Sequence, residues 1–187
     1  MDTREAVEEM IGGSTEALEK LIEIYYPKAL RLAYLISGNF ADSQDIAQEA
    51  FTACYFNRKK IKQPQFFDKY LYKTVSRTAW KICRKHNIEQ PVEYIADENT
   101  ADTFSLSEEI IKKQEQKELL KAIGTLPIKQ RTAVILFYFN GFSSKEIAHI
   151  TGSFEGTVKS RLFSARQKLK TLLENSQNFR KEGGTDK

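Results

Sequence analysis

Thr157, Lys159, Ser160, Arg161, Phe163, Ser164 and Arg166 crowd one short stretch of this chain. All but Phe163 carry side chains that hydrogen-bond rather than react. Guanidinium and ammonium groups beside short hydroxyls are what phosphates and major-groove base edges require. From Glu155 to Lys170 five residues are basic and one is acidic. The two histidines, His86 and His149, have no nucleophile constellation, glycine-rich phosphate loop or metal-ligand spacing around them. The chain is therefore expected to be no enzyme and to hold no metal and no cofactor.

The elements that must present those side chains read as a helix-turn-helix. Ser144 can cap a short first helix with Glu146 and Ile147 in its first turn. Ala148 is small where a second helix must cross closely, and Gly152 suits the positive φ of a tight inter-helix turn. The second helix should start near Phe154 or Glu155 and run past Leu169. Val158, Leu162, Ala165 and Leu169, at steps of four, three and four, make its buried stripe. Basic amphipathic hairpins are common. The joint placement of Ala148, Gly152 and Val158 at offsets of four and ten is what points to DNA reading.

A second basic segment lies upstream. Residues 57–86 hold ten bases against one acid. Lys69, Lys73, Arg77, Lys81 and Lys85 recur every four residues, a gently winding stripe on one long helix. Phe66, Phe67, Tyr70, Tyr72 and Trp80 are interleaved with them. A positive track with aromatic faces suits a single strand, whose phosphates take the charge and whose bases stack. Phe67, Leu71 and Val75 fit core positions equally well. The helix before it, DSQDIAQEAFTACYF, turns Ile46, Ala47, Ala50, Phe51 and Cys54 inward and carries Asp42, Asp45, Gln48 and Glu49 on a polar face. Asp42 and Asp45 suit a helix start. Gln48 and Glu49 lie further in, which makes the face a candidate protein-docking surface.

The chain has 187 residues, 41% hydrophobic and 29% charged, with a net charge of +4. That is enough for one domain or two small ones. Residues 1–26 carry seven acids and two bases, and residues 87–111 carry seven acids and no base, so the two basic surfaces are separated by acidic stretches. Cys54 and Cys83 show neither zinc spacing nor a disulfide framework, which fits reduced thiols in the cytoplasm. No secretory signal or membrane-length apolar run is visible, so no direct membrane insertion is expected.

Helical periodicity runs almost throughout. Helices are expected from Thr3 to Ile11, from a Ser14 or Thr15 cap to Gly38-Asn39 with Pro27 breaking or kinking the helix or opening its successor, and from an Asp42 or Ser43 cap to about Phe56. Further helices run from Phe66 to about His86, from Ser105 to Ile123, and from Pro127 to about Asn140. Thr132 to Phe139 favours a strand by propensity, yet a buried helix suits its surroundings better. The predicted fold is all-α. Two small helical domains, 1–88 and 106–175, flank a flexible acidic linker at 89–105, and a disordered tail follows at 176–187.

Three segments together resemble the extracytoplasmic-function (ECF, group IV) sigma factors. DSQDIAQEAF resembles their core-polymerase-binding helix, and FFDKYLYKTVSRTAWKICRKH their promoter-melting and minus-ten-reading helix. LPIKQRTAVILFYFNGFSSKEIAHITGSFEGTVKSRLFSARQKL resembles their minus-thirty-five-reading domain. The resemblance implies that Asp42, Asp45, Gln48, Glu49 and Phe51 dock on bacterial core RNA polymerase. It implies that the loop from Asn57 to Gln65, with Arg58, Lys59, Lys60 and Lys62, captures a flipped minus-ten base, with Lys73, Arg77 and Trp80 facing the same element. Thr157, Lys159, Ser160, Arg161, Phe163, Ser164 and Arg166 fall in the minus-thirty-five helix. A membrane-anchored anti-sigma partner is implied by the family alone. The chain departs from the family's frequent Trp, Asn, Asp and Arg at Tyr70, Arg77, Lys81 and Ser164 respectively. The competing reading is a stand-alone helix-turn-helix regulator with an N-terminal sensor or dimerisation domain, which would bind duplex tightly without polymerase.

Overall fold

Ser14 and Asn39 sit in extended backbone, and each accepts a main-chain N–H on its side-chain oxygen. These caps start two of the helices in the computed structural model, which describes residues 2–85 and 110–182. The first module holds α1 (Thr3–Gly12), α2 (Thr15–Ser37), α3 (Phe40–Phe56) and α4 (Phe67–Lys85). Two 3₁₀ turns, Arg58–Lys60 and Pro64–Phe66, join α3 to α4. The cap of α3 is Asn39, whose Oδ1 accepts from the Asp42 N–H at 3.0 Å, rather than Asp42 or Ser43. Ser43 is instead fully buried. Pro27 does not break α2. Proline removes the bond to the carbonyl four residues back. Here both Pro27 and Glu23 are exposed, so water can take that bond.

Helices α2, α3 and α4 pack together, with α1 laid against α2. Leu21, Leu32, Ile36, Ile46, Phe67 and Leu71 are among the fully buried side chains that fill the space between them. Phe67, Leu71 and Val75 are thus core, and the aromatic faces left partly open on α4 are Tyr70 and Trp80.

The second module holds α5 (Ile110–Gly124), α6 (Ile128–Val134), a π turn (Ile135–Phe139), α7 (Ser144–Thr151) and α8 (Glu155–Glu182). TAVILFYF is helical and not a strand. Its last residues widen into the π turn, which buries Ile135 and Leu136 and leaves Phe137, Tyr138 and Phe139 facing solvent. Helix α8 continues to Glu182, past the domain end expected at residue 175. The linker 89–105, residues 105–109 of the expected fifth helix and residues 183–187 lie outside the described residues.

The two modules touch. Helix α7 lies on α4, while α6 and the π turn lie on the C-terminal end of α2. This accounts for the run Leu32 to Ser37, which is buried on every side of the helix. Arg131 of α6 is 1% exposed. Its guanidinium donates to the carbonyls of Gly124 (2.6 Å) and Leu126 (3.0 Å) in its own module and to Ile36 (2.8 Å) at the end of α2. Carbonyls at helix ends carry partial negative charge, which suits a cation.

Candidate nucleic-acid and polymerase interfaces

Ser143, not Ser144, caps α7. Its hydroxyl accepts from the Glu146 N–H at 3.3 Å, and the Glu146 carboxylate accepts from the Ser143 N–H at 3.0 Å, a reciprocal capping box. Lys69 also donates to Glu146 at 2.7 Å. These bonds, led by the one from Lys69, hold the Glu146 carboxyl well down, at about 2. Gly152 then turns the chain at φ +64°. Ile147 and Ala148 of α7 are buried, as are Val158, Leu162 and Ala165 of the predicted stripe, while Leu169, its last member, is half-buried.

On α8, Thr157, Lys159, Ser160, Phe163 and Arg166 are exposed, and Arg161 and Ser164 are half-buried. All three of these cations already have partners, Arg166 donating from Nε to the Leu162 carbonyl at 3.4 Å. Lys159 reaches Glu155 at 2.8 Å, and Ser144 donates to the same carboxylate oxygen at 3.0 Å. The Glu155 carboxyl therefore lies below its ordinary range, chiefly through Lys159. Arg161 donates to the Ser153 hydroxyl at 2.9 Å and braces the inter-helix turn. Phe163 and Phe154 are 61% and 86% exposed. Such rings can meet thymine methyls in a major groove. Phe154 was missed in the sequence because it precedes the helix and belongs to no stripe. Gln167, also exposed, follows Ser160 and Phe163 at steps of three and four and was legible.

The loop before α4 is held from within. Asn57 donates from Nδ2 to the Ala53 carbonyl (2.9 Å) and accepts from Lys60 Nζ (2.7 Å). The Arg58 guanidinium lies 4.5 Å from the Tyr55 ring centroid and donates to the Tyr55 carbonyl. Ile61 anchors the loop in the core, and Lys59 and Lys62 are exposed. On α4, Arg77 is exposed and Lys73 half-buried. Burial, then the Arg77 charge, lowers the Lys73 pKa. Trp80 is half-buried and its indole N–H donates to the Thr132 hydroxyl at 2.9 Å. Asn57, Arg58 and Lys60 thus shape the loop, Lys59, Lys62, Lys73 and Arg77 give it charge, and Trp80 meets the second module.

On α3, Asp45 and Gln48 are exposed and Asp42 and Glu49 are half-buried. Lys81 reaches Glu49 at 2.8 Å. Phe51 is 3% exposed, stacked near Tyr26, so its ring is mostly core. It lines an apolar groove of about 360 Å³ between α2 and α3 together with Leu18, Ile22, Gln48 and Phe56. Phe56 is 78% exposed at the rim. The groove was not visible in sequence because its two walls come from different helices. Burial raises the Cys54 and Cys83 thiols to about 12 and about 11, so neither is a thiolate at neutral pH. Among the described residues no three His, Cys, Asp or Glu side chains are grouped to hold a metal, and no helix is long and apolar enough to cross a membrane.

Residues 21–88 match the family model described as Sigma-70 region 2, and residues 116–169 the one described as Sigma-70, region 4. The chain is 27% identical over 186 residues to the ECF RNA polymerase sigma factor SigW of Bacillus subtilis, covering 92% of this chain and 97% of that relative. It is 31% identical over 143 residues to the RNA polymerase sigma factor SigV of the same organism, covering 76% of this chain and 82% of the relative. The fold is similar to that of the sigma factor RpoE in its co-crystal structure with the anti-sigma factor NepR from Bartonella quintana. The TM-score is 0.63 at 20% identity, over 83% of this chain and 96% of that one. With both sigma regions in order along it, the chain belongs to the ECF sigma factors, which direct RNA polymerase to promoters.

Proposed function

We propose that α3 docks the chain on core RNA polymerase, that the 57–65 loop and α4 hold the minus-ten element as a single strand, and that α8 reads the minus-thirty-five duplex. The observation that carries this reading is the division of charge. Carboxylates and an amide stand on α3 beside an apolar groove, while Lys59, Lys62, Lys73 and Arg77 follow it and Lys159, Arg166 and Lys168 line α8. Phosphate contacts supply register and most of the affinity, and the exposed polar and aromatic groups of α8 supply choice of sequence. Extruding a minus-ten base costs a few kcal/mol, offset by stacking and by hydrogen bonds in the loop.

We place the chain in group IV of the sigma factors and in the cytoplasm, where core polymerase is found. An anti-sigma protein, anchored in the membrane, is the partner that would hold it inactive. The similarity in fold to a sigma factor seen with its anti-sigma partner supports that proposal. The docking role is tested by co-elution with bacterial core enzyme. Asp45→Lys with Glu49→Lys should abolish association without loss of helix. Retained association would exclude α3 as the docking helix. Tight, dimeric duplex binding without polymerase would favour a stand-alone regulator instead.

A further inference from the structure

The loop between α3 and α4 is tied to a part of the chain that has no DNA-facing charge of its own. Helix α1 packs against both 3₁₀ turns of the loop as well as against α2. Its Ala6, Val7 and Met10 are buried, and so is Ile61 of the loop. Gly13 caps α1 at φ +109°, where an L side chain is strained, and Ser14 at once opens α2. At this elbow the Gly13 carbonyl accepts from the Tyr55 hydroxyl of α3 at 3.1 Å.

Tyr55 joins three parts of the module. Its hydroxyl holds the elbow. Its ring lies 4.5 Å from the Arg58 guanidinium, and its carbonyl accepts from Arg58 Nη1 at 3.1 Å. A Cβ on Gly13 would lie 3.7 Å from Arg58 Nη2, so the first cation of the loop is clasped between ring and elbow. The Arg58 Nε is buried with no hydrogen-bond partner among the described residues. An unpaired buried donor is a cost, so it is the ring, the Tyr55 carbonyl and the elbow that keep the guanidinium in place.

The loop's own bonds are short in range. The Lys60 N–H reaches the Asn57 carbonyl (2.8 Å), the Ile61 N–H the Arg58 carbonyl (3.0 Å) and the Phe66 N–H the Gln63 carbonyl (3.0 Å). Such turns set local shape and leave the position of the whole loop to its anchors. A site for an extruded base must be held to within about 0.5 Å by groups that are themselves locked by packing and hydrogen bonds. Ile61 anchors the middle of the loop, and Tyr55 with the elbow anchors its start.

We infer that α1 braces the minus-ten loop, with Tyr55 as a positioning residue that acts on the captured base through Arg58 and the loop backbone. This rests on the proposed capture of a minus-ten base by the 57–65 loop. The acidic N-terminal helix thereby takes a part in promoter choice without touching DNA.

Tyr55→Phe deletes the hydroxyl and keeps the ring beside Arg58. Arg58→Met keeps the hydrocarbon and removes the cation. In the free full chain, hydrogen exchange at the Lys60, Ile61 and Phe66 amides reads loop order with neither DNA nor polymerase present. The loss of one partly buried hydrogen bond corresponds to about a two- to tenfold change. Exchange at these amides should speed by that factor in either variant, while the α8 amides keep their rates. Tyr55 also lines the groove between α2 and α3, so DNA binding is measured on holoenzyme isolated by co-elution. Should Tyr55→Phe fail to co-elute, Arg58→Met decides. The probe is a fork duplex with a single-stranded minus-ten segment, each position carrying each of the four bases in turn. The ratio of worst to best Kd at the captured position should fall about two- to tenfold, with the preference at minus thirty-five unchanged. A Tyr55 that only fills space would, as phenylalanine, weaken all sequences alike or none. Loop exchange within twofold of the unaltered chain in both variants would overturn the inference, as would a loosened loop with an unchanged base ratio. No base preference at any minus-ten position in the unaltered holoenzyme would overturn the reading on which the inference rests, a failure that the exchange rates do not share.

Discussion

Replacing Arg131 by methionine keeps most of the buried hydrocarbon and removes the guanidinium. That group is 1% exposed and donates to three carbonyls, two at the ends of α5 and its loop and one at the end of α2. Hydrogen bonds to a charged donor contribute about 1.5–3 kcal/mol each, and a buried carbonyl left without a donor costs about 1–3 kcal/mol. Losses at three sites are not additive, because the helix ends can relax and the guanidinium's own burial cost is removed with it. A net destabilisation of about 3–5 kcal/mol is expected, a large part of the roughly 5–15 kcal/mol that holds a domain. At about 2–4 °C per kcal/mol for a chain of this size, Tm should fall by about 10 °C. Arg131→Lys should fall between, since one ammonium cannot reproduce the planar fork. Thermal denaturation followed by circular dichroism, checked by urea melts, reads both. A methionine variant within about 1 kcal/mol of the unaltered chain would show that the three carbonyls do not depend on Arg131 and would refute the reasoning.

Gly152→Ala forces a side chain into the left-handed region and against Arg77, so the second module should lose about 1–2 kcal/mol, measured by urea denaturation. The Glu146 carboxyl titrates at about 2 when folded, below its ordinary value of 4.5. A depressed carboxylate stabilises at all pH above the unfolded value and loses that contribution as pH falls toward the folded one. The α7 cap and its link to Lys69 should therefore be unchanged from pH 7 to about 4.5 and fail between about 4.5 and 2, seen as a rise in Trp80 quenching that Glu146→Gln lacks. Arg166→Ala should weaken minus-thirty-five duplex binding by the holoenzyme at every sequence and lower the salt slope by about 0.9, read by titration at several salt concentrations.

The helix-turn-helix was legible because every local signal agreed. Ala148, Gly152 and the Val158–Leu162–Ala165 stripe each demand the same geometry, and all take it. Caps were less legible. Asn39 and Ser143 win over their neighbours Asp42, Ser43 and Ser144 because the cap is set by which residue is still extended when the helix starts, and several adjacent residues could have accepted the bond. Pro27 misled because its cost depends on solvent access to the Glu23 carbonyl, which sequence does not carry. The contact between modules was illegible for a similar reason. Trp80 reads as an aromatic facing nucleic acid, and only tertiary packing brings it against Thr132 and places Arg131 at the end of α2. The contact shows in the structure as burial all round the end of α2, from Leu32 to Ser37.

The central claim is that this chain confers promoter selectivity on polymerase. Run-off transcription by bacterial core enzyme over a library of random upstream sequences, with and without the purified chain, tests it most directly. New transcripts should begin downstream of two shared motifs at a fixed spacing, appearing only when the chain is present. A transcript set identical with and without the chain, under conditions where both proteins are folded and present in excess, would contradict the account.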